Sequence, residues 1–93
     1  MTTRKATPRP TAFARWLDRL VDEKGIDVEA TVDVEGPSGL NVIPIAIVLD
    51  TIKSAPKHEQ AGIKRMIVKI DFVAPGPKPI VDYLRHLARA IAL

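Results

Sequence analysis

Cysteine is absent from this chain of 93 residues, and aromatic residues are scarce: one tryptophan, one tyrosine and two phenylalanines. Without thiols there is no disulfide framework, no thiolate zinc or iron–sulfur site and no cysteine nucleophile. The fold is therefore expected to rest on its apolar core alone. No apolar run approaches the roughly 20 residues that cross a bilayer, and Met1 to Pro10 lacks the apolar stretch of a secretory signal. A cytoplasmic protein with no membrane partner is the expectation. What is present, 46% hydrophobic and 27% charged residues, has the balance of a globular protein. The length suits a single domain.

The net charge of +3 is unevenly placed. Three of the fourteen basic residues, Arg4, Lys5 and Arg9, fall among the first ten residues, which contain no acid; the remaining chain holds eleven bases against eleven acids. Residues 1–10 thus read as a mobile basic tail and residues 11–93 as one neutral domain. A domain built to grip phosphate would carry its own clustered excess of positive charge.

Phe13, Trp16, Leu17, Leu20 and Val21 recur at the spacing of one helical face. Thr11 before them is an N-cap residue and Gly25 after them a C-terminal stop. Residues 26–35 alternate without a break, with Ile26, Val28, Ala30, Val32 and Val34 on one side and Asp27, Glu29, Thr31, Asp33 and Glu35 on the other. This is the period of a half-buried strand. Gly36-Pro37-Ser38-Gly39 turns the chain, and Leu40 to Ile43 is expected to return as a short second strand. Pro44 opens a helix through about Lys53, and Pro56 opens a shorter one through about Lys64. From Met66 the period returns to two, which predicts a third strand with Met66, Val68, Ile70 and Phe72 inward and Ile67, Lys69, Asp71 and Val73 outward. Ala74 to Pro79 reads as a loop, and Pro79 opens a last helix with Ile80, Leu84, Leu87, Ala88 and Ile91 buried. The sum is an α+β fold in the order α-β-β-α-α-β-α, a small antiparallel sheet of two or three strands backed by about four helices. Trp16, Leu20, Val28, Val32, Leu49, Ile52, Val68, Ile70, Leu84 and Leu87 are its expected core.

The chemistry-bearing residues do not assemble into a catalytic pattern. His58-Glu59 begins like a zinc-protease motif, but Gly62 stands where the second histidine ligand belongs. Asp82 and His86 are four apart on a polar helix face, a spacing that suits a surface pair. Ser38 and Ser54 are the serine candidates for a nucleophile, and Ser38 lies among ordinary turn residues. Gly36 and Gly39 lack the Lys-Ser/Thr of a phosphate loop, and Pro37 removes an amide donor. No enzyme, no cofactor and no metal are expected.

One pattern exceeds this background. Asp27, Glu29, Asp33 and Glu35 project from a single strand face, and successive positions on such a face are about 6.5–7 Å apart. That approaches the phosphate spacing of a nucleic-acid strand, over a row of about 27 Å. Like charges in a row repel and add nothing to folding unless neighbours compensate. Lys69 on the expected third strand would offset one of them, while Asp71 would add to the row.

Glu35-Gly36-Pro37-Ser38-Gly39, Asn41, Ile43-Pro44, Ile52-Lys53, Ala55-Pro56, His58-Glu59-Gln60, Ile63-Lys64, Val68 to Phe72 and Tyr83 to Ala88 form a set. Together they resemble small uncharacterised accessory proteins of proteobacteria and their phages and plasmids, over residues 13 to 93. The resemblance carries no active residues. It implies a context in which proteins of this size act by binding, as inhibitors or regulators.

Two functions follow as expectations. The first is a non-catalytic binding protein, an inhibitor of a host nucleic-acid machine of the anti-CRISPR or anti-restriction type. It would dock through Asp27, Glu29, Asp33, Glu35 and Asp71 onto a partner protein with a basic groove. The alternative is a nucleic-acid-binding regulator using Arg4, Lys5, Arg9, Arg15, Arg19, Arg85 and Arg89. A sheet of two or three strands leaves open edges, so a homodimer is also expected, with Ile67 and Val73 apolar on the outer face.

Overall fold

In the computed structural model, which describes residues 11–92 and side chains through residue 90, helix α1 spans Ala12–Lys24. The expected basic tail over residues 1–10 lies outside the described residues. The Thr11 side chain accepts a hydrogen bond from the Ala14 amide at 3.1 Å, satisfying one of the free N–H groups of the first turn. At the other end Gly25 takes φ 67°, the left-handed region that favours glycine. The Gly25 and Ile26 amides donate to the Asp22 and Val21 carbonyls at 3.2 and 3.0 Å. This paired closure is the Schellman arrangement, and Ile26 and Val21 join the same apolar cluster.

The chain then turns before it extends. The Glu29 amide donates to the Asp27 carboxylate at 3.0 Å, and the Ala30 amide to the Asp27 carbonyl at 3.2 Å. Residues 26–30 therefore belong to a turn, and the expected strand over 26–35 is shortened to β1, Thr31–Gly36. It pairs antiparallel with β2, Gly39–Pro44, in a register that runs from Thr31 opposite Pro44 to Gly36 opposite Gly39. The hairpin loop is Pro37-Ser38 alone. A Cβ at Gly36 would come within 2.9 Å of the Asn41 side-chain amide, so a larger residue there would displace the end of that side chain. Val32 and Val34 face the core, and Thr31, Asp33 and Glu35 face out.

Helix α2, Ile45–Lys53, starts directly after Pro44, and its apolar positions Ile45, Val48, Leu49 and Ile52 are all buried. Helix α3 runs from Lys57 to Val73 without a break. The expected third strand over Met66–Val73 is thus the second half of a helix, and the sheet has two strands. The α+β class and the order of the preceding five elements hold. Propagating an existing helix costs far less than nucleating a new element. One internal glycine, Gly62, opposes it by only about 1 kcal/mol. The inward face is also different. Ile63, Ile67 and Ile70 recur at helical spacing toward the core, and Ile67 is fully buried, whereas Val68 is half exposed.

Helix α4, Pro77–Ala92, begins two residues earlier than Pro79. Its first turn accommodates Pro77 and Pro79 because amides there have no intrahelical acceptor. The linker shrinks to Ala74, Pro75 and Gly76. Helix α4 lies against β1, α2 and α3 and supplies Ile80, Leu84 and Ala88 to the core. Of the expected core, Leu20, Val32, Leu49, Ile52 and Leu84 are buried, and Trp16, Val28, Ile70 and Leu87 pack on its margin. Val68 does not belong to it. Among the described residues, no helix is long and apolar enough to cross a membrane.

Candidate binding surfaces

The row of acids that reads as one strand face is divided between three places. Asp27 and Glu29 lie in the turn before β1, where the Asp27 carboxylate accepts from the backbone. Asp33 and Glu35 stand on the outer face of β1, opposite Val42 and Leu40 of β2. Asp71 belongs to α3, is half-buried, and has its Oδ1 2.7 Å from Lys24 Nζ on α1. That contact is a charge pair without hydrogen-bond directionality, because the same oxygen has no well-aligned donor. Lys69, expected beside the acids on a neighbouring strand, lies on α3 instead. The continuous row of about 27 Å is accordingly replaced by a short acidic segment at Asp33 and Glu35, flanked by exposed Leu40 and Val42.

The arginines of the alternative reading fall in two pairs. Arg15 and Arg19 are one turn apart on α1, and Arg85 and Arg89 one turn apart on α4. Arg85 lies 3.4 Å from the Asp82 carboxylate, which Lys78 also approaches at 3.3 Å. Asp82 is thus engaged by two cations of its own helix, and no bond to His86 is seen. Arg4, Lys5 and Arg9 lie outside the described residues.

His58 is exposed, with Nε2 3.9 Å from the Glu59 carboxylate. The Ser54 hydroxyl donates to the Asp50 carbonyl at 3.2 Å and closes the last turn of α2. Trp16 stacks on Phe13 with ring centroids 5.8 Å apart, and the Lys64 ammonium lies 5.2 Å from its ring centre. This cation–π contact ties α1 to α3, so the tryptophan is a structural clamp at the core margin.

The second half of α3 carries a surface feature that period-two reading of the sequence hides. Around the second half of α3, Val68, Phe72, Arg65, Lys69, Val73 and Met66 succeed one another over the whole side opposite Ile67, by helical geometry. Phe72 is 87% exposed and Val73 71%, with Val68 and Met66 near half. Met66, Lys69, Ile70, Val73 and Ala74 line a shallow apolar depression on this side. A surface helix normally turns a single apolar stripe toward the core, yet this one also carries exposed apolar side chains on its outer side. The signal was available in the sequence as apolar residues at both odd and even positions from Met66 to Val73, more than a single buried face needs.

The chain matches no protein-family model, no curated protein and no solved structure.

Proposed function

We propose that this protein is a non-catalytic binding module that engages a partner protein through the outer side of α3. The observation that carries the reading is the exposure of Met66, Val68, Phe72 and Val73 on the outer side of α3, two apolar strips on either side of Arg65 and Lys69, led by a phenylalanine almost fully in water. Exposed apolar patches of this kind mark interaction surfaces, and aromatic side chains dominate binding energy when they enter a pocket. Arg65 and Lys69 run between the two apolar strips, so the fitting partner presents apolar pockets on either side of acidic residues.

A second reading keeps the hairpin as the contact. Asp33 and Glu35 are exposed and have no cation paired to them among the described residues, which leaves them available to a basic groove. Inhibition of a host nucleic-acid machine is the specific form that the acidic hairpin contact would take; the resemblance itself implies action by binding, as an inhibitor or regulator.

A photoreactive residue placed at Phe72, at Asp33 or at His58 in the full chain and irradiated in the native host separates these readings. A discrete protein adduct from position 72, absent from 58 and lost when Val68 and Val73 are both changed to Ser, supports the α3 surface. An adduct from position 33 alone transfers the function to the hairpin. Adducts with nucleic acid from any position overturn both.

A further inference from the structure

Strand β2 has a free edge whose backbone groups can be assigned from the hairpin register. The Ile45 amide donates to the Ala30 carbonyl at 2.9 Å. Antiparallel pairs alternate between hydrogen-bonded and non-hydrogen-bonded. With the observed register, Val32–Ile43, Val34–Asn41 and Gly36–Gly39 are therefore the hydrogen-bonded pairs. Thr31–Pro44, Asp33–Val42 and Glu35–Leu40 are the others, and their N–H and C=O groups point away from the hairpin. Pro44 fits this assignment, since proline is tolerated where the missing N–H would face outward at an edge.

The two edges are unlike. The outward positions of β1 are Thr31, Asp33 and Glu35, and charges of this kind block strand addition. Strand β2, Gly39-Leu40-Asn41-Val42-Ile43-Pro44, carries no charge, and Leu40 and Val42 are 62% and 58% exposed. Among the described residues no third strand covers it.

We infer that β2 is a dimerisation edge, and that its occupant is the β2 strand of a second copy of this chain, antiparallel about a two-fold axis. Charge selects the occupant. Joining β2 to β2 brings two neutral strands together and leaves the acidic β1 strands three strand spacings apart, about 14 Å. That exceeds the screening length of about 8 Å at physiological ionic strength. Joining β1 to β1 would set Asp33 and Glu35 of both copies about 5 Å apart. The register follows from the free groups. Leu40 and Val42 carry the outward N–H and C=O groups, and Pro44 has no N–H to give. Pairing Leu40 with Val42 of the second copy, and Val42 with its Leu40, uses every one of these groups. Asn41 then faces its own symmetry mate in a non-hydrogen-bonded pair, where side chains approach most closely. Leu40 and Val42 of both copies cover one another on the outer face of a four-stranded sheet.

Sedimentation of the full chain over a range of concentrations tests the inference. The native protein is expected to dimerise, and Leu40→Lys with Val42→Lys to raise the dissociation constant at least about tenfold by placing like charges across the contact. Because the chain has no cysteine, Asn41→Cys on the otherwise native background reads the register directly. It should form a disulfide-linked dimer under mild oxidation, whereas His58→Cys should not. A monomer at the highest attainable concentration overturns the inference, as does a dimer that survives the lysines. So does an Asn41→Cys protein that links no faster than the His58→Cys control. A monomer that instead takes an extended peptide along β2 assigns the edge to another occupant.

Discussion

Tyr83 is the single phenol of the chain and sits half-buried on α4, where desolvation by burial raises its pKa above the usual value near 10. The native state therefore holds this proton at pH values where the unfolded chain has released it. The associated stability is complete below about pH 10 and is lost as the pH rises through the native value. Phenolate absorbance followed against pH should give a midpoint higher in the native protein than in denaturant. Equal midpoints would show that the ring is solvated. The surrounding environment is what the sequence lacks: Tyr83 next to Leu84 and Arg85 reads equally as a margin or an exposed position. The same holds for Trp16, whose Lys64 partner is 48 residues away in the chain.

At the scale of elements, caps and breakers speak clearly. Thr11, Gly25, Pro44 and Pro56 each stand within one residue of the boundary that they signal. They act through hydrogen bonds and dihedral limits within a few residues, so no distant contact can alter their meaning. Met66 to Val73 is different, because apolar side chains occupy both the alternate positions of a strand and the inward positions of a helix. Two substitutions separate the alternatives. Ile67→Ala should destabilise the protein by about 2–5 kcal/mol in denaturant unfolding. Val68→Ala should change it by only about 0.5 kcal/mol, because that side chain lies on the exposed side of α3. A larger loss at Val68 than at Ile67 would restore the strand.

In the whole molecule α4 is the shared element, touching β1, α2 and α3 at once. Ala88 is fully buried on it. Ala88→Leu should lower stability by about 1–3 kcal/mol through overpacking. Because α4 packs on α3, whose Lys64 lies over the Trp16 ring, the strain should reach Trp16 and alter its fluorescence as well as the thermal midpoint. An unchanged midpoint would reveal slack in the core. The ion pairs across the molecule, Lys24 with Asp71 and Lys53 with Asp18, have partly exposed partners. Such pairs contribute at most about 1 kcal/mol, so apolar packing on α4 decides the assembly.

The α+β class, the helices α1 and α2, the hairpin and the helical character of the C-terminal segment were determined by sequence alone. Periodicity, caps and turns are short-range properties, and each is written within a few adjacent residues. Three matters were decided only in the tertiary structure. Asp27 and Glu29 left the strand because Ile26 closes the α1 cap and Asp27 binds the following backbone. Met66 to Val73 became helix because α3 was already running and α4 offered Ile67 a buried site. The candidate surface on α3, with Phe72 in water, exists because α4 covers one side of a segment apolar on both. Which of two apolar faces is buried depends on the neighbour that covers it, and that neighbour comes from elsewhere in the chain.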